Sequence, residues 1–158
     1  MRFCLLDRIC SLEAGASVTA VKAVSLAEEY LADHFPEFPV LPGVFMLEAA
    51  TQAATWLVRI TDDYAHSMIV LAEARSVKFT DFVTPGHELQ LRVELAKREG
   101  SQVHFKFEGH VDSRLCVSGR LALQCYNLAD ENPELAGLDA RMIAYQRSLE
   151  TLLRRAAA

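Results

Sequence analysis

The chain has 158 residues, 51% of them hydrophobic and 23% charged, which fits one soluble domain with a sizeable core. A net charge of −5 and a pI near 5.5 argue against a general nucleic-acid binder, which carries a basic field. No apolar run reaches the roughly 18–20 residues of a membrane span.

The opening stretch, Met1 to Arg8, meets charge too soon for the apolar region of a secretory signal. Cys4, Cys10, Cys116 and Cys125 form no C-x-x-C pair and have no histidine at zinc-ligand spacing. They read as buried free thiols, packing as small hydrophobes, and the cytoplasm is the expected compartment. Residues 2–9 and 17–24 predict two short strands around the turn-like Glu13-Ala-Gly-Ala16, and residues 27–32 a brief helical turn. Gly43 to Ile60 is the clearest helix: it lacks internal Gly or Pro and is apolar around nearly its whole circumference, as a helix enclosed by protein is. Asp62-Asp63 end it.

From Ser67 the period changes to two. Leu89, Leu91, Val93 and Leu95 alternate with polar residues, as do Val103, Phe105 and Phe107, and Leu115, Val117, Leu121 and Leu123 keep one parity. Each run predicts a strand with one buried face. Thr84-Pro-Gly86, Gly100 and Asp112-Ser113 supply the turns, while Gly109 and Gly119 sit where a strand bulges or bends. The order β-β-α-β-β-β-β implies an α+β domain in which an antiparallel sheet wraps a long central helix. Residues 138–156 predict a terminal helix, with Leu138, Met142, Ile143, Tyr145, Leu149, Leu152 and Leu153 as its apolar positions and Arg154 and Arg155 at its negative end. Residues 1–126 then form the main domain and residues 127–158 a helical extension.

The chemistry concentrates in His34-Phe-Pro-Glu-Phe-Pro-Val-Leu-Pro-Gly43 and the helix that follows. Pro36, Pro39 and Pro42 make a stiff, non-helical approach that holds an imidazole in place, and histidine accepts a proton near neutrality. Glu48 is a lone carboxylate in apolar surroundings, which needs partners or takes up a proton. Gln52 lies one turn on and is placed to hydrogen-bond to it; a protonated acid so held is a competent general acid. Pro42-Gly43 opens the helix, whose free N–H groups favour an oxygen carrying negative charge, and Gly43, without a Cβ, admits a carbonyl close to its amide. Base, acid and oxyanion donor suit removal of a proton beside a carbonyl with loss of a β-hydroxyl as water. A satisfied core pair at Glu48 and Gln52 and a structural His34 are the plainer readings of the same residues.

His34-Phe-Pro, Pro39-Val40, Pro42-Gly43-Val44, Glu48 and Gln52-Ala53 resemble the signature of the 3-hydroxyacyl-[acyl-carrier-protein] dehydratases, enzymes of fatty-acid synthesis with the hotdog fold. Leu6-Asp7-Arg8, Val77-Lys-Phe79 and Pro85-Gly86 extend the likeness over roughly residues 3–126. The resemblance implies a homodimer or dimer-based oligomer in which His34 of one subunit and Glu48 of the other face one tunnel. It implies that Gly43 and Val44 bind the thioester, that Gln52 orients the acid, and that neither metal nor redox cofactor is needed. The phosphopantetheine arm then arrives with the substrate on acyl carrier protein, and Arg75, Lys78, Arg92, Lys97, Arg98 and Arg120 are candidates to steer that acidic partner. Family members commonly carry Gly where this chain has Asp33, and an Arg- and Pro-bearing stretch where it has Thr80 to His87. A branch that also isomerises has aspartate at the acid position, and Glu48 points away from it. A thioesterase that activates water with its carboxylate, or a non-catalytic acyl-thioester binder, are the alternatives.

Overall fold

The computed structural model describes residues 3–35 and 37–155, the last of these without its side chain. Pro36, the side chain of Arg155 and residue 156 of the expected terminal helix lie outside the described residues. The chain runs through strands β1 (Arg8–Glu13) and β2 (Ser17–Ala23), helices α1 (Tyr30–His34) and α2 (Gly43–Thr61), strands β3 (Met68–Phe79), β4 (Glu88–Glu99), β5 (Gln102–Val111) and β6 (Arg114–Tyr126), and helix α3 (Ala136–Arg155). The six strands form one antiparallel sheet in the order β1-β2-β4-β5-β6-β3.

The alternating strands do what their period requires. Leu89, Leu91, Val93, Val103, Phe105 and Phe107 turn inward and are buried, and α2 lies across that face with Ala49, Ala50, Ala53 and Ala54 wholly enclosed. Small residues there let the helix approach the sheet closely, and each large side chain so buried contributes roughly 1.5–3 kcal/mol relative to exposure. Gly109 and Gly119 serve the same closeness: a Cβ on Gly109 would stand 2.7 Å from Val117, and one on Gly119 3.0 Å from Phe107. Hotdog architecture, with sheet wrapped around helix and a terminal helix added, is the fold the resemblance implies.

Four expectations need correction. The first strand is Arg8–Glu13, not residues 2–9. A tight turn at residues 14–16, with Gly15 at φ +73°, carries the pairing right up to Glu13. The Leu5 N–H meanwhile leaves the ladder for the Gln52 side chain. His34 ends a short helix rather than sitting in extended chain; the extended residue is Phe35, at φ −140°. Leu115 is 37% exposed, out of parity with Val117, because the β5–β6 register slips between Gly109 and His110, and a one-residue slip turns a side chain to the other face. Finally, Cys4 and Cys10 are exposed, and only Cys116 and Cys125 are buried: Cys10 lies at the irregularity between Ile9 and Ser11, and Cys4 precedes the sheet.

Helix α3 packs back against β1. Leu153 joins the main core, with Ile143 and Leu149 packed against it, whereas Leu138, Tyr145 and Leu152 are 36%, 38% and 56% exposed. The buried Asp139 carboxylate anchors its start, accepting from the Ser67 hydroxyl and from the N–H groups of Leu128 and Ala129 at 3.1 and 2.9 Å.

Candidate active site

Glu48 sits on the second turn of α2, half-buried. Gln52 Nε2 donates to its Oε1 at 2.8 Å. The same amide is tied to the chain start: its oxygen accepts from the Leu5 N–H at 2.9 Å and its nitrogen donates to the Phe3 carbonyl at 3.2 Å. Since a primary amide has two donors and one oxygen, these bonds hold it in one orientation with a donor on the carboxyl. Glu48 and Gln52 line a cavity of about 570 Å³ between α2, the start of β3 and α3.

The helix start is held in place by the Leu41 N–H donating to the Val83 carbonyl at 2.8 Å. Phe45 and Met46 both donate to the Pro42 carbonyl, so the N–H groups of Gly43 and Val44 precede the first intrahelical bonds and remain for a ligand. The bare face of Gly43 is not open, however. A Cβ there would stand 3.1 Å from the Phe79 ring, so the missing side chain makes room for an aromatic ring, and only the N–H is left to meet a carbonyl. Val44 is 65% exposed.

His34 is exposed, with its ring 4.3 Å from that of Phe35. It does not line the cavity that holds Glu48. One chain therefore brings Glu48 and Gln52 together, sets Gly43 and Val44 at the head of the same helix, and leaves His34 apart. Phe38, Val44, Phe79 and Phe82 are also exposed apolar side chains, with Phe38 packed edge-on against Phe82 at 5.4 Å. Strand β3 forms one edge of the sheet and exposes Val70 and Leu71.

A FabA-like domain model matches residues 1–120. The chain belongs to the FabA-like family. Among its relatives is the 3-hydroxyacyl-[acyl-carrier-protein] dehydratase FabZ of Albidiferax ferrireducens, 37% identical over 131 residues, which covers 80% of this chain and 87% of that one. The protein of the same name from Ruminiclostridium cellulolyticum is 35% identical over 119 residues, 75% of this chain and 84% of that one. In fold the chain resembles the dehydratase heterocomplex ApeI:P of Xenorhabdus doucetiae, at 21% identity and a TM-score of 0.68, covering 84% of this chain and 89% of that one.

Within this FabA-like chain, other residues stand where the motif reading did not look. Trp56 and Arg59 share the Glu48 cavity, with Tyr145, Gln146 and Leu149 of α3. Arg59 was legible by its place on the Glu48 face of α2; the α3 residues carry no signal that would have placed them there. Of the basic candidates, Arg75, Arg92, Lys97 and Arg98 each pair with a carboxylate at 2.6–2.8 Å. Lys78 and Arg120 alone of that group lack such a pair among the described residues.

Proposed function

We infer that the protein dehydrates 3-hydroxyacyl thioesters to trans-2-enoyl thioesters in fatty-acid synthesis. The observation that carries this is the family match over residues 1–120, a span that contains His34, Gly43, Glu48 and Gln52. In the proposed reaction the His34 imidazole takes the proton from the carbon beside the thioester carbonyl. The Gly43 N–H, with that of Val44 beside it, holds the negative charge that develops on the carbonyl oxygen. Glu48, oriented by Gln52, gives its proton to the β-hydroxyl, the C–O bond breaks, and water leaves. The double bond forms between the two carbons, and solvent returns a proton from His34 to Glu48.

These steps use side chains and backbone only; the phosphopantetheine arm comes with the acyl carrier protein that presents the substrate. The assembly we propose is a homodimer or dimer-based oligomer in which His34 of one copy completes the Glu48 site of the other. What supports it is that His34 does not line the Glu48 cavity of its own chain, together with the apolar side chains exposed along the edge strand β3. Residues 1–126 carry the chemistry and residues 127–158 are an extension. No described helix is long and apolar enough to cross a membrane, and the cytoplasm is the proposed site of action.

The test is to incubate the protein with a 3-hydroxyacyl carrier-protein thioester and follow enoyl and free thiol separately. Wild type is expected to form enoyl, with His34→Ala and Glu48→Gln each slower by roughly 10²–10⁴-fold while keeping their fold. Release of thiol without enoyl would replace this reading by a thioesterase, and binding without turnover would replace it by an acyl binder.

A further inference from the structure

Beyond Glu48 the same face of α2 carries Trp56 and Arg59, and both line the cavity that holds the carboxyl. Eleven residues of α-helix make three turns and a small remainder, so Glu48 and Arg59 project from one face about 16 Å apart along the axis. The Arg59 guanidinium lies over the Trp56 ring, 5.4 Å from its centre. Arg59 is half-buried, and its Nε is buried without a hydrogen-bond partner.

That is an unusual condition for an arginine. Burial pushes its pKa down to about 10, which still leaves it charged at neutral pH. An Nε–H buried without an acceptor is costly, and here it borders a cavity that begins at the candidate acid. The opposite wall comes from Tyr145, Gln146 and Leu149 of α3, which lies beyond the residues matched by the family model.

We propose that this cavity receives the distal end of an acyl chain that terminates in a carboxylate, and that Arg59 is the residue that reads it. The proposal rests on the dehydratase reading for the other end of the ligand, the thioester beside Glu48. Guanidinium and carboxylate meet through two parallel N–H···O bonds, which a terminal methyl cannot supply. A methyl-ended chain of equal length leaves the buried Nε–H unpaired, and that carries a desolvation penalty. The distance between Glu48 and Arg59 sets the chain length that fits, and α3 forms the side of the channel.

Trp56 is the only tryptophan in the chain, so its fluorescence reports this cavity alone. Wild type, Arg59→Met and Arg59→Lys are titrated with 3-hydroxyacyl pantetheine thioesters of one chain length that end in methyl or in carboxylate. Enoyl formation is followed separately on the same samples, and circular dichroism checks each fold. Wild type is expected to bind the carboxylate-ended thioester at least tenfold more tightly. Arg59→Met loses that preference, Arg59→Lys keeps part of it, and in turnover the loss falls on KM rather than kcat.

Equal binding of the two thioesters by wild type, or a preference that survives in Arg59→Met, overturns the assignment. A counter-charge supplied by a second copy of the chain would appear as such equal binding and counts against it. Enoyl formation without discrimination leaves the dehydratase reading standing while this one falls. Discrimination through Arg59 without any enoyl keeps this one and removes the other.

Discussion

Glu48 and His34 are held in opposite ways. Glu48 lies on a nineteen-residue helix that the sheet encloses, and its partner Gln52 is itself bonded to the chain start. His34 ends a five-residue helix, exposed, beside aromatic rings that face outward. The first residue is finished by its own chain. The second, followed by three prolines, has no counterpart within its own chain to work on. In the proposed dimer, Glu48 and His34 are halves of two different sites, and the symmetry brings them together as equals.

The largest effect breaks that comparison directly. His34→Ala and Glu48→Gln, each nearly inactive alone, are unfolded together, refolded and assayed. If the site spans two copies, random pairing makes half the dimers mixed. Each mixed dimer then has one intact pair of residues, so activity returns to about a quarter of wild type. If each chain uses its own His34 and Glu48, mixing restores nothing.

The Glu48 half was legible from the sequence, and the physical reason is its helical spacing: residues four apart share a face whatever surrounds them, so Gln52 had to meet Glu48. The central strands were legible for the same kind of reason, since Leu89 to Val93 and Val103 to Phe107 alternate without interruption. Elements governed by a distant partner were not. The first strand was displaced because Leu5 bonds to a side chain 47 residues away, which no local pattern encodes. The Phe79 ring over Gly43 and the α3 wall of the cavity depend on how separate elements meet. Leu115 kept the right parity in sequence and lost it in space, because parity says nothing of a register slip that leaves Cys116 of its own strand unpaired.

A middle-sized effect sharpens the comparison. Gln52→Leu removes the donor on Glu48 and leaves the Leu5 N–H without its acceptor, which costs about 1–3 kcal/mol of stability along with activity. Asp33→Gly, beside His34 on the exposed side, is expected to stay within about 0.5 kcal/mol of wild type. Urea unfolding of both variants measures the asymmetry. Equal stability losses would mean that the His34 segment is held by its own chain after all.

The smallest effect lies at the anchor of α3, which walls the Glu48 cavity. The hydrogen bond from Ser67, with those from the N–H groups of Ala129 and Leu128, holds the Asp139 carboxyl below its usual range near 3.8. A carboxyl whose folded pKa lies below its unfolded one stabilises fully above the unfolded value, and the contribution fades as pH falls through the folded value. Asp139→Asn turns an amide NH₂ toward a backbone N–H, so it is expected to lower the melting temperature by a few degrees at pH 7. The gap from wild type should persist down to about pH 4 and close below it. Thermal melts of both proteins from pH 7 to pH 3 give the comparison, and a gap that widens on acidification would mean that the carboxylate is not what holds α3 in place. Fluorescence of Trp56 in the same melts separates the two halves again, because loosening α3 opens the Glu48 cavity and leaves the His34 segment as it was.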